Sequence, residues 1–182
     1  MIDTLSPKQL GEEGQAAYQK GEYQSAASLF RAAADGYIAA SDEFSAAEMA
    51  NNCSVARLKA GDAQGALDVV AGTEEIFVAA GDTKRQAMAV GNQGAALDKL
   101  KRFEEAAAAY EKSAELLKTA GELELRAYVL QSLSELQLRT GHQLEAYATM
   151  FAGVSGIEKP NLTQKMLKAL MQIPFKFLDG QR

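Results

Sequence analysis

Apolar residues recur three and four positions apart along nearly the whole chain, and short polar or glycine-containing breaks interrupt them at regular intervals. That spacing puts the apolar side chains on one face of a helix. It predicts helices over about 7–20, 23–40, 42–60, 63–80, 82–100, 103–120, 122–140 and 143–157, with a ninth at about 161–172. No segment alternates as a strand would. Ser6-Pro7 reads as a helix start with proline at its first position, and Asp42 and Asp82 read as N-caps.

The pattern repeats with a period of 40 residues. Ala26, Ala66, Ala106 and Ala146 share one column. Phe30, Val70, Tyr110 and Met150 share a second, and Tyr37, Phe77, Leu117 and Ile157 a third, all large. Gly14, Ser54, Gly94 and Ser134 form a small column, and Ala16, Ala56, Ala96 and Leu136 another. Small residues let two helices approach closely, and the large ones fill the space between them. Gly21, Gly61 and Gly141 fall between helices, where reversal of the chain needs left-handed dihedrals, and Lys101 occupies the same slot without glycine. Further turns are expected near Ser41-Asp42, Gly81-Asp82 and Gly121-Glu122. Each period is thus helix, tight turn, helix.

The residues Gly14, Tyr18, Gly21, Tyr23, Ala26, Phe30 and Ala33 of the first unit resemble the tetratricopeptide repeat. So do Ser54, Leu58, Gly61, Ala66, Val70 and Thr73 of the second, and Gly94, Leu97, Phe103, Ala106, Tyr110 and Ser113 of the third. The fourth supplies Ser134, Leu138, Gly141, Ala146, Met150 and Gly153, so the resemblance spans roughly residues 7–157. The family's unit is shorter, about 34 residues, and often closes with proline. The longer period is similar to the long-helix repeats of kinesin light chains and Leu-Gly-Asn-type adaptors. The resemblance implies an all-α, right-handed superhelical solenoid of four helix pairs, about 7–41, 42–81, 82–121 and 122–157, followed by a C-terminal capping helix and tail in 158–182.

It also implies a function: a scaffold or adaptor that binds a partner polypeptide in a concave groove lined by the first helix of each pair. The family's groove positions fall on Gln15 and Tyr18, on Asn51, Asn52 and Lys59, on Asn92 and Lys99, and on Tyr128, Gln131 and Arg139. Met88 and Leu138 lie among them. Asn52 and Asn92 stand out because they share a column, and an amide can hydrogen-bond an extended backbone without reading its sequence. The alternative use of these amides is to satisfy polar groups between helices. The family's carboxylate clamp is not reproduced: Asn52 matches it, but Gly11, Gln15, Met88 and Asn92 stand at its other positions.

Composition narrows the remaining classes. With 47% hydrophobic residues in 182, wholesale disorder is not expected. A net charge of −5 disfavours nucleic acid, which requires a basic footprint. A lone Cys53 and a lone His142 assemble neither a metal set nor a nucleophilic pair, so no enzyme, metal or cofactor is expected. Cys53 is expected to be buried and inert, and His142 exposed in a turn. There is no signal-like N-terminus and no long apolar span, so a cytoplasmic protein is expected.

The C-terminal segment differs. Lys159, Lys165, Lys168, Lys176 and Arg182 against Glu158 and Asp179 give it +3 and leave the rest at −8. It reads either as a cap on the open end of the array or as an element that docks on a partner or a membrane surface. Self-assembly through this segment, and a peripheral membrane adaptor, are the alternatives to the peptide-binding scaffold.

Overall fold

The computed structural model describes residues 5–155, and these are helical throughout, with no strand among them. The helices are α1 (Pro7–Gln19), α2 (Tyr23–Ala39), α3 (Glu43–Lys59), α4 (Ala63–Val70), α5 (Thr73–Ala79), α6 (Thr83–Lys99), α7 (Phe103–Thr119), α8 (Leu123–Arg139) and α9 (Gln143–Ser155). The expected segment 161–172 and Ile157 lie outside the described residues.

Chain reversals set this spacing. Among the described residues, Gly21, Ser41, Gly61, Gly81, Lys101, Gly121 and Gly141 all have positive φ, one every 20 residues. Each turn closes in the same way. At the first, Gly21 N–H donates to the Tyr18 carbonyl at 3.0 Å, and Glu22 N–H to that of Ala17 at 3.0 Å. These two bonds satisfy carbonyls that the end of a helix leaves unpaired. Ser41 and Lys101 adopt the left-handed conformation without being glycine, at φ 60° and 62°. The residue after each turn residue then starts the next helix. Asp42, Asp62 and Asp82 accept from the backbone N–H of Ser45, Gly65 and Arg85. Those bonds hold all three carboxyls below their ordinary range. Ser6 and Gln9 cap α1 reciprocally.

The columns pack as their sizes require. Ala26, Ala66, Ala106 and Ala146 are all buried, and so are Gly14, Ser54, Gly94 and Ser134. A Cβ on Gly14 would stand 2.9 Å from the Phe30 ring, and one on Gly94 3.0 Å from Tyr110, so in these units the small residue admits the large one of its own partner helix. Helices adjacent in sequence pack as pairs, α1 on α2, α6 on α7 and α8 on α9, and each pair meets the next through α2–α3 and α7–α8.

One expected helix is broken. The stretch 63–80 divides into α4 and α5 because Ala71 is extended at ψ 133° and Gly72 is left-handed at φ 80°. Thr73 Oγ1 donates to the Val70 carbonyl at 2.8 Å across the break. Beyond it, Glu74 bridges three helices, meeting Lys112 Nζ of α7 at 2.7 Å and Gln86 Nε2 of α6 at 2.8 Å. Burial pushes the Glu74 carboxyl up, but these bonds outweigh it and hold it below its ordinary range.

Candidate interaction face

The first helices of the pairs, α1, α3, α6 and α8, follow one another: α3 touches α6, and α6 touches α8. Side-chain pairs cross from one of these helices to the next, and Lys84 of α6 meets Glu122 at the start of α8 at 2.9 Å. Glu48 of α3 meets Arg85 of α6 at 2.5 Å. Asn92 Nδ2 of α6 donates to Asn51 Oδ1 of α3 at 3.1 Å. Arg139 Nη2 of α8 donates to both Asp98 oxygens of α6, at 2.7 and 2.8 Å.

These pairs sort the residues expected to line the face. Asn51 is not on the open surface. It is buried, its amide donates to the Ala47 carbonyl at 3.2 Å, and its oxygen holds Asn92. The reason is that α6 lies over it, a contact that the spacing along α3 alone does not reveal. Asn92 is half-buried with one amide hydrogen engaged, so the inter-helix use of the amides holds for this pair. Arg139 is likewise engaged, with its guanidinium 6.0 Å from the Phe103 ring centroid. Tyr18 is half-buried, packs on the Ala17–Phe30 cluster and lies edge-on to Tyr23.

Asn52 differs from its column mate. It is half-buried and makes no hydrogen bond among the described residues. Asn51 and Asn92 are 41 residues apart, and 41 before Asn52 stands Gly11, which has no side chain to meet it. A Cβ on Gly11 would stand 2.9 Å from Met49 Sδ, so the side chain of Met49 from α3 reaches α1 there. The Asn52 amide is thus left without the partner that Asn92 finds in Asn51. Gln15, Lys59 and Lys99 are exposed, and neither lysine forms an ion pair among the described residues. Gln131 is exposed and donates to Glu135 Oε1 at 2.9 Å. Met88, Tyr128 and Leu138 present large apolar surface, with Tyr128 70% exposed.

Cys53 is fully buried and its Sγ lies 3.3 Å from the Ala27 carbonyl; burial pushes the thiol up, against the pull of Arg57. It therefore stays protonated and is no nucleophile. His142 is exposed, with Nδ1 3.0 Å from Thr140 Oγ1. A cleft of about 680 Å³ opens between the start of α7 and the α8–α9 turn. Its Arg102 is already paired with Glu105. Among the described residues no group of acids, cysteines or histidines could hold a metal, and no helix is long and apolar enough to cross a membrane.

Comparison with protein-family models and with curated proteins finds no match for this chain.

Proposed function

We propose that the chain is a tetratricopeptide-like scaffold whose α1–α3–α6–α8 face binds an extended segment of a partner polypeptide. Four helix pairs wind into a right-handed solenoid in this reading, and that face is its concave side. The repeat register and the resemblance stated above support the architecture. The observation that carries the function is the unpartnered amide of Asn52, set in a face where Glu48 pairs with Arg85, Asn51 with Asn92 and Asp98 with Arg139. That amide is not committed to a neighbouring helix, and an extended backbone supplies both a donor and an acceptor for it. Met88, Tyr128 and Leu138 offer apolar surface for side chains of the same segment.

The test begins with peptides selected from a random displayed library on the full chain. Asn52→Ala is expected to weaken the selected peptide by about 0.5–1.5 kcal/mol, the worth of one amide hydrogen bond, and to leave the melting temperature unchanged. Asn92→Ala is expected to lower the melting temperature as well, because it strips Asn51 of its partner. A library that yields no binder, or a binder indifferent to Asn52, rejects the proposal.

A further inference from the structure

The first helices of the pairs end on one row of related residues, Gln19, Lys59, Lys99 and Arg139, each 40 after the last. On α3 and α6 the lysine stands seven residues after Asn52 and Asn92, so it lies on the same helix face, about 10 Å further along it. Of the three cations in the row, Arg139 alone is neutralised. It meets Asp98, 41 residues earlier on the preceding first helix, and that carboxylate lies beneath it, only 15% exposed. The same offset leads from Lys99 to Leu58 and from Lys59 to Tyr18. Both are half-buried, and neither supplies a carboxylate. Lys59 and Lys99 are exposed and have no ion pair or hydrogen bond among the described residues. The row therefore makes an ion pair at Arg139 and leaves two equivalent positions open.

We infer that Lys59 and Lys99 receive carboxylates of the partner segment, each taking the place that Asp98 takes beneath Arg139. This rests on the peptide-binding reading of the α1–α3–α6–α8 face and adds the chemistry of the partner: an acidic segment. Packed helices stand about 8–10 Å apart, and an extended chain advances about 3.3 Å per residue, so the two acids fall about three residues apart. Charge on the face sets where they fall. Glu12, Glu48 and Asp98 are already paired with Lys8, Arg85 and Arg139, whereas Glu135 of α8 has no cation among the described residues. Acids of the partner are thus drawn to α3 and α6 and kept from α8. The net charge of −5 does not oppose this, because acids more than about 8 Å away are screened at physiological salt. Nor is this row the family's carboxylate clamp, whose positions here hold Gly11, Gln15, Asn52, Met88 and Asn92 and no cation.

The rival use of the two lysines is to face the carbonyl ends of their own helices, where a cation is favourable. That use needs no partner and shows in stability, not in binding.

The test uses the full chain and the peptides that the displayed library yields on it. These are expected to be enriched in pairs of Asp or Glu about three residues apart. Lys59→Gln with Lys99→Gln is expected to weaken such a peptide about fivefold at low salt, to flatten the salt dependence of its binding, and to change the melting temperature little. Lys59→Glu with Lys99→Glu is expected to lose the acidic peptide and to bind the same peptide with its two acids changed to lysine. Peptides that need Asn52 but carry no excess of acids overturn the inference and leave the scaffold reading standing. So do peptides that bind the double glutamine variant as tightly as the native chain. A lower melting temperature with unchanged affinity assigns the lysines to their own helix ends and likewise overturns it. A library without any binder rejects the scaffold reading, and the inference falls with it.

Discussion

Ser54 and Ser134 occupy one column 80 residues apart, are both fully buried, and have opposite energetic roles. Ser134 Oγ donates to the Ala146 carbonyl at 2.9 Å, whereas Ser54 Oγ has no partner. A buried hydroxyl that lost its water without gaining a bond costs about 1–3 kcal/mol. Ser54→Ala is therefore expected to stabilise the chain by about 1 kcal/mol, and Ser134→Ala to destabilise it by about 1 kcal/mol. Chemical denaturation of the two variants decides this; equal shifts of one sign would show that the column responds to volume alone. The smallness of the column is legible in the sequence. Which hydroxyl finds a carbonyl is not, because that depends on the height of the facing helix. Asn51 makes the same point, since its burial is decided by α6 rather than by its own helix.

Among the elements, α3, α4 and α6 start on an aspartate that accepts a backbone N–H, while α2, α7 and α8 start on Glu22, Arg102 and Glu122 without a side-chain cap. The depressed carboxyls of Asp42, Asp62 and Asp82 make the first set acid-sensitive. Their contribution is fully present above the unfolded value, near 4 for aspartate, and is lost as pH falls through the lower folded value. Asparagine accepts the same bond at any pH. The triple variant Asp42→Asn, Asp62→Asn, Asp82→Asn is expected to melt at or slightly below the native temperature at pH 7 and to lose less stability by about pH 3. Parallel acid limbs in the two melting series would remove these caps from the account. The aspartates at 42 and 82 were readable as caps from the sequence, but the α4–α5 break was not. The helix, kink and helix of 63–79 occupy the same number of residues as an unbroken helix, so Thr73 keeps its place beside Ala33, Ser113 and Gly153. Periodicity therefore passes over the kink, and Gly72 is the sole local sign of it.

At the scale of the whole molecule two periods coexist, and they make different demands. Left-handed turns recur every 20 residues, whereas the packing columns recur every 40, because first and second helices of a pair bury different faces. The first helix shows what a neighbour contributes: Ala16 is exposed, while its column mates Ala56, Ala96 and Leu136 are buried, Ala56 and Leu136 in clusters with residues of the preceding unit. In an array held by nearest neighbours, a whole period can be removed without disturbing the rest. Deletion of 42–81 joins Ser41 to Asp82, the same turn sequence as Ser41-Asp42, and brings α6 against α2. That variant is expected to remain helical and to unfold cooperatively, with a denaturant slope lower by roughly a quarter because less surface is exposed. Deletion of 42–61 keeps the turn spacing but sets α4, a second helix, where a first helix belongs. It would place Ala66 and Val70 where Ala46 and Ala50 stood, and the small residue that admits Phe30-type side chains would be lost from that unit. Loss of cooperative unfolding is expected there. If both deletions unfold alike, the turns rather than the 40-residue columns organise the chain.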